Sequence, residues 1–475
     1  MHDLSTTLVA VATPVGRGGL GCLRIGGTDA LSIAEKLFRS ASTSGGWVAG
    51  KTRLGQFLDR AGDAIDHGYA VHFAQGKSYS GDSTVEFWTH GSPVVLDELL
   101  RGAVACGAVA AGPGEFTYRA LRNGRIDLPR AEAIHDLIEA RTVYQARVAH
   151  AQAEGALSLM LSPLRDELEE WIARSEAAVE FVDESETHLD PVAFRQGLQT
   201  MVETCRRLLD DFQRGKVVRE GVQLAIVGAP NVGKSSLFNR LLADDRAIVT
   251  ELPGTTRDLL EETVDLNGIP VRLVDTAGLR ETDDPVEGEG VRRARQAART
   301  SQWVLEVLDA TDPGHETRAK DGDFESSPTQ LSAPQLPPTE MSARKLTVFN
   351  KSDRLDPPPP ATTDPLSTTL FVSARTGAGI EALRDRLFLQ LTRGQGQDVT
   401  SALGDPLLTH RRHADGLERA VSGLEAAIAS LDAGHTEEWV LEDLRTVMGA
   451  LAELTGVWDV EDLYDRVFST FCIGK

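Results

Sequence analysis

Residues 228–235 read Gly-Ala-Pro-Asn-Val-Gly-Lys-Ser, a glycine-rich loop with the spacing Gly-x4-Gly-Lys-Ser. It follows the apolar run Leu224–Val227 and leads into a helix-like stretch, the strand–loop–helix context in which such a loop cradles phosphates. Backbone N–H groups and the helix start bind the anion, Lys234 neutralises its outer phosphates and Ser235 holds Mg²⁺. Asn231, Val232, Gly233, Lys234, Ser235 and Ser236 are therefore the candidate phosphate site.

Three further motifs follow in order. Leu273-Val274-Asp275-Thr276-Ala277-Gly278 places Asp275 at a strand end, where it can hold the magnesium shell, and Gly278 where a γ-phosphate is sensed. Asn350-Lys351-Ser352-Asp353 follows the strand-like Leu346–Phe349. Asp353 there can accept both N1–H and N2–H of guanine, and adenine would leave that carboxylate unpaired. Ser373-Ala374-Arg375 ends another strand and would close over the base. Four such motifs at strand ends predict a GTP-binding domain.

Two departures bear on hydrolysis. Leu279 stands where a water-positioning Gln is otherwise found, and no arginine finger is evident. Asn231 and the stretch Thr250-Glu251-Leu252-Pro253-Gly254-Thr255-Thr256-Arg257-Asp258 offer oxygen ligands beside the phosphates. A monovalent cation held there would supply the missing positive charge; a polar, mobile switch loop is the plainer alternative.

The elements that must position these residues show in the hydrophobic patterning. Residues 1–120 read as a small α/β domain, with β-rich Thr6–Thr13 and Leu20–Ile25 and an alternating Ser83–Thr89. In that last run Val85 and Phe87 share one face and Glu86 and Trp88 the other. Pro93–Ala111 is predicted helical, stopped by Gly112-Pro113-Gly114. From about 126 to 217, long Ala-, Leu- and Glu-rich segments predict antiparallel helices. From 222 to 392, short Val/Ile/Leu runs alternate with helical stretches, the mark of a doubly wound α/β domain. Helical character returns after 400. The Leu157–Val182 and Leu417–Leu431 stripes are expected to be helix core. The expected class is multidomain, α/β and all-α, with an α/β domain inserted into a helical one. Its expected limits are 1–122, 123–217, 218–395 and 396–475. Residues 311–345, rich in Pro, Ser and Thr, are an expected surface insertion.

The 475 residues carry a formal charge of −22, which argues against bulk attraction to nucleic acid or anionic membrane. Residues 1–120 hold 10 basic and 11 acidic side chains, whereas 401–475 hold 6 and 14. Four scattered cysteines without CxxC pairing fit reduced thiols in a cytoplasm. The N-terminus lacks a basic region before its apolar run, so no secretory signal is expected. The apolar stretch Gly102–Gly112 is far shorter than the roughly 20 residues of a membrane span. His410-Arg411-Arg412-His413 is expected to be a solvated helix start rather than an RNA contact.

Nearly the whole chain resembles the MnmE (TrmE) family of tRNA-modifying GTPases. The resemblance runs through Ala12-Thr13-Pro14, Gly16-Arg17-Gly18-Gly19, Gly112-Pro113-Gly114-Glu115-Phe116 and Asp127-Leu128. It continues through Gly254-Thr255-Thr256-Arg257-Asp258 and Asp275–Arg280 to the terminal Phe471-Cys472-Ile473-Gly474-Lys475. It implies a folate-binding, dimerising N-terminal domain and a helical domain of two separated segments with a Ras-like P-loop GTPase domain between them. It further implies a homodimer, K⁺-stimulated hydrolysis on G-domain dimerisation, an FAD-dependent MnmG-type partner forming a heterotetramer, and a cytoplasmic setting without membrane. The reaction implied is addition of a (carboxymethyl)aminomethyl group to C5 of the wobble uridine of certain tRNAs, the carbon coming from 5-formyl- or methylene-tetrahydrofolate.

By position, Asn231, Thr250, Leu252 and Thr255 would ligate K⁺, and Ser235 and Thr256 Mg²⁺. Glu287 matches the family's water-orienting glutamate; from sequence alone it is one acid among Glu281, Asp283, Asp284 and Glu289. Arg280 and Cys472 complete the candidate catalytic set, Cys472 as a thiol nucleophile or as an inert buried cysteine. Arg24, Glu86, Arg125 and Lys475 are the implied folate residues, with Arg125 standing where the family commonly has Lys. A ribosome-assembly GTPase is the rival reading, and a membrane-remodelling GTPase a third. The first usually carries a basic RNA-binding appendage, which is not seen here, and the second calls for a basic amphipathic helix.

Overall fold

The computed structural model describes residues 5–42, 46–180, 190–244, 261–275, 301–312, 344–357, 359, 370–392, 408–456, 468 and 471–474. The chain divides into two compact units. The first comprises residues 1–135, 150–198 and 422–475. Its sheet has seven strands in the order β3-β4-β5-β6-β2-β1-β7, namely β1 Leu8–Val11, β2 Gly18–Gly26, β3 Phe38–Ser40, β4 Thr52–Leu58, β5 Ala64–Phe73, β6 Thr84–Gly91 and β7 Val109–Ala110. All neighbours are antiparallel except β1 and β7.

Strict alternation gives this sheet two unlike faces. Leu23, Ile25, Phe57, Val85 and Phe87 pack with Ile33 and Leu37 of α1 (Ala30–Leu37) and Leu99 of α2 (Pro93–Ala105). On the other face Leu54, Tyr69 and Trp88 stand exposed in one row across β4, β5 and β6. The predicted helix over Pro93–Ala111 is too long. It ends at Ala105, and residues 109–110 become β7. The cause is Gly107, whose φ of +109° turns the chain and lets Ala108 N–H donate to the Ala103 carbonyl at 3.0 Å.

Helices α3 (Glu115–Arg122), α4 (Leu128–Glu139), α5 (Val143–Ala153), α6 (Ala156–Glu180) and α7 (Pro191–Glu220) follow. Leu157, Leu161, Leu164 and Leu168 recur at helical spacing and are buried, as the stripe predicts. In the first unit α11 (Glu437–Thr455) packs along α6, and Arg445 reaches Glu176 across them at 2.9 Å.

The second unit comprises residues 136–149 and 199–421. Its six-stranded sheet has the order β13-β12-β11-β8-β10-β9, from β8 Val222–Val227, β9 Glu261–Leu266, β10 Ile269–Asp275, β11 Trp303–Asp309, β12 Arg344–Asn350 and β13 Leu370–Phe371. β9 is the antiparallel edge strand; the other five are parallel. Apolar runs such as Val304-Leu305 and Val348-Phe349 are buried on both faces, as a covered parallel sheet requires. α8 (Lys234–Asp244) and α9 (Ile380–Thr392) supply Leu237, Phe238, Leu383 and Leu387 to this core.

Residues at the start of α5 brace the sheet of the second unit. Thr142 Oγ1 donates to Gly268 O at 2.6 Å, in the β9–β10 turn. The Gln145 side-chain amide donates to the carbonyls of Val218 and Arg219, both at 2.9 Å. α7 then stops at Gly221, whose φ is +72°. A Cβ there would lie 2.4 Å from Pro270 O, so the chain can turn into β8 only with glycine.

The sequence 410–413 is not a solvated start. His410 Nε2 lies 2.8 Å from Asp136 Oδ2, and His413 is buried where α10 (Arg411–Asp432) begins. Only Arg411 matches the expectation, exposed and paired with Asp415.

Candidate functional site

The nucleotide site is built at the carboxyl ends of β8, β11, β12 and β13. Gly228 leaves β8 at φ +154°, and a Cβ would come 2.3 Å from Val307 O on β11. Asn231 adopts φ +63° and Gly233 φ +93°, positive-φ conformations of the kind from which anion-binding backbone nests are built. Val232 is buried and anchors the loop against the sheet. Ser235 and Ser236 are exposed in the first turn of α8, with the helix N-terminus behind them. Lys234 Nζ donates to Ala229 O at 2.8 Å, so the ammonium sits over the loop that would hold phosphate.

Asn350, expected to serve the base, also straps the phosphate loop. Its Nδ2 donates to Val232 O at 2.9 Å, and its Oδ1 accepts from Ala374 N at 3.0 Å. One nearly fully buried amide thus ties the loop after β8 to the loop after β13.

Asp353 Oδ1 accepts from Ser373 Oγ at 2.7 Å, and Oδ2 lies 3.3 Å from Arg375 Nε. The Ser373 hydroxyl, followed by Arg375 and Arg354, holds this carboxyl below the usual range. Arg375 is 82% exposed, so guanine can displace it and use the carboxylate's remaining acceptor capacity. Lys351, at φ +66°, donates from Nζ to Asp309 Oδ2 at 2.7 Å. Burial works against the Asp309 charge, but Lys351 and Thr311 outweigh it and keep its carboxyl low. Asp309 is absent from the motifs above. Its only signal is its place at the end of the apolar run Trp303–Leu308.

Thr250, Glu251, Leu252, Pro253, Gly254, Thr255, Thr256, Thr276, Ala277, Gly278, Arg280 and Glu287 lie outside the described residues, as does nearly all of the 311–345 insertion. Of Asp275 the backbone is described, at the end of β10. Of the residues expected to ligate Mg²⁺ and K⁺, Ser235 and Asn231 are the ones among the described residues, each carrying a side-chain oxygen of the kind hard cations take.

A second site forms in the first unit. Arg24 on β2 is directly opposite Glu86 on β6, and its Nε and Nη2 both lie 2.9 Å from Glu86 Oε1. Its Nη1 donates to Gly474 O at 3.0 Å, and the guanidinium stands over the rings of Phe116 and Tyr79 at 5.5 and 5.9 Å. The C-terminal tail reaches it because Phe468 and Phe471 pack with Tyr118, Leu121 and Leu128. Ile473 bridges Pro113, and Gly114 N–H donates to Cys472 O at 3.3 Å. Gly474 has φ +95°, and a Cβ there would meet Val11 O at 2.5 Å.

Arg24, Glu86 and the tail thus converge. Arg125 is exposed, beside Gly81 and the turn that follows α3; Lys475 lies outside the described residues. Cys472 is exposed, whereas burial pushes the Cys22 and Cys205 thiols up to about 12. Among the described residues no helix is long and apolar enough to cross a membrane.

The family model described as the TrmE N-terminus matches residues 7–125, and that of the MnmE helical domain matches residues 128–472. The tRNA modification GTPase MnmE of Koribacter versatilis is 40% identical over the full length of both chains. The protein of the same name from Methylococcus capsulatus is 38% identical over 99% of this chain and 98% of its own. That of a Roseiflexus species is 38% identical over 99% of each. A phosphate loop, a guanine-type carboxylate and full-length identity at this level agree: the chain belongs to the MnmE family of tRNA modification GTPases and is a GTP hydrolase that takes part in tRNA modification.

Proposed function

We propose that GTP hydrolysis by this chain powers addition of a (carboxymethyl)aminomethyl group to C5 of the wobble uridine of certain tRNAs, in the cytoplasm, with an FAD-dependent partner of the MnmG type. The carbon comes from a tetrahydrofolate derivative held in the 1–122 domain. The observation carrying this reading is the convergence of Arg24, Glu86 and the C-terminal tail, joined across 450 positions of sequence. A charged cluster backed by the rings of Tyr79 and Phe116 suits a ligand with a flat heterocycle and carboxylates. Arg24, Arg125 and Lys475 are assigned to the carboxylates and Glu86 to the pterin. Cys472, an exposed thiol on the same tail, is the nucleophile candidate.

At the nucleotide site, Asp353 reads guanine, Lys234 and the loop N–H groups take the phosphates, and Ser235 and Thr256 hold Mg²⁺. K⁺ bound by Asn231, Thr250, Leu252 and Thr255 supplies the positive charge that an arginine finger supplies elsewhere. Glu287 orients the water, and Arg280 belongs to the same switch. Hydrolysis requires two G domains facing each other in a homodimer, which with the partner makes a heterotetramer. The domain limits 1–122, 123–217, 218–395 and 396–475 divide this labour: carbon donor, helical frame, GTPase, helical frame. GTP turnover in KCl against NaCl at equal ionic strength tests the cation assignment. Several-fold faster turnover in KCl is expected; equal rates contradict it.

A further inference from the structure

Three side chains of β5 and β6 belong to neither site: His67 and His90 are exposed, and the Asp66 side chain is only 9% exposed. Asp66 and His67 lie on β5 and His90 on β6. The Tyr69↔Trp88 pairing, carried two residues further, sets His67 across from His90 on the exposed face. Their rings meet edge to face with centroids 5.3 Å apart. Asp66 is held rigidly between them: Oδ1 accepts from His67 N at 2.8 Å and Oδ2 from His90 N at 2.9 Å. His90 Nδ1 lies 2.7 Å and His67 Nδ1 4.0 Å from Asp66 Oδ1. One donor atom from each of the three residues falls within 4.8 Å of the others.

We propose that Asp66, His67 and His90 form a zinc-class transition-metal site, with water in the remaining position. Two imidazoles and one carboxylate are a donor set for Zn²⁺ and its neighbours, and not for the oxygen-seeking Mg²⁺ or K⁺ of the nucleotide site. Tetrahedral donors about 2.1 Å from a metal stand about 3.4 Å from one another. That spacing falls between the 2.7 and 4.0 Å found here. Closing the difference takes only side-chain rotation, since the His67 and His90 side chains are 74% and 62% exposed. The carboxylate needs no reordering, because two backbone N–H groups already orient it. A bound ion would clip β5 to β6 beside Tyr69 and Trp88 and leave one coordination position facing solvent.

The test is calorimetric titration of ZnCl₂ into the full-length, tag-free chain after chelator stripping. Saturating Mg²⁺ and GDP occupy the nucleotide site, and Cys472→Ser removes the exposed thiol. One equivalent is expected to bind with Kd tighter than about 100 μM. His67→Ala keeps the Asp66–His90 pair and its fold, checked by circular dichroism, and is expected to weaken binding at least tenfold while GTP turnover is unchanged. Wild-type affinity weaker than that limit, or equal uptake by His67→Ala, overturns the site.

Discussion

The proposed reading of guanine by Asp353 requires that carboxylate to be ionised and oriented, and Ser373 contributes to both. Its hydroxyl bonds Oδ1 and holds the carboxyl below the ordinary range. A depressed pKa keeps the charge as pH falls, so GTP affinity persists into mild acid. Ser373→Ala lets the pKa rise, and affinity is then lost at a higher pH; nucleotide Kd measured from about pH 7 down to about pH 4 checks the direction. Asp353→Asn is expected to weaken GTP binding by at least about a hundredfold. It should favour xanthine nucleotides, whose C2 carbonyl accepts from the new amide. The thiols give a separate readout. Limited alkylation of the folded chain should modify Cys472 before Cys22 and Cys205, which burial keeps protonated. Peptide mass analysis reads the order. The guanine carboxylate was legible in the sequence because its motif is local. Asp309 was not, because its role comes from a neighbouring strand brought alongside β12 by parallel pairing.

Asn350 and the C-terminal tail act at the scale of elements. Asn350→Ala removes the strap between the phosphate loop and the Ala374 loop and leaves buried backbone groups unpaired. It should cost about 1–3 kcal/mol of nucleotide affinity or domain stability. Denaturant midpoints with and without GDP separate the two. Phe471→Ala should destabilise the first unit by about 3–5 kcal/mol, since the ring packs with Phe468 and stacks on His135 at 4.7 Å. β1, β2 and β6 of the first sheet and β8, β10, β12 and β13 of the second were readable from alternation and apolar runs. The end of α2 was not, because Gly112-Pro113-Gly114 is a louder stop than Gly107, which in fact turns the chain. The pairing of His410 and the burial of His413 were hidden likewise. Two histidines flanking two arginines look solvated until Asp136, 274 residues away in sequence, supplies the partner.

At the scale of the whole molecule, a charge of −22 means that tRNA cannot be gathered by bulk attraction. The chain alone should bind tRNA weakly, with affinity falling further between about 50 and 200 mM salt. Filter binding with and without a flavin-dependent partner checks this. The mixed α/β and helical fold class was visible in the alternation of patterns along the chain. The site joining the two ends of the chain was not, because no local pattern places Gly474 against Arg24. The most direct test of the account is mass analysis of wobble uridines in tRNA from a strain lacking this gene, complemented with the wild-type or the Asp353→Asn chain. The C5 modification is expected to disappear in the deletion, return with the wild type and stay absent with Asp353→Asn. Wobble uridines modified to the wild-type level in the deletion strain would contradict it.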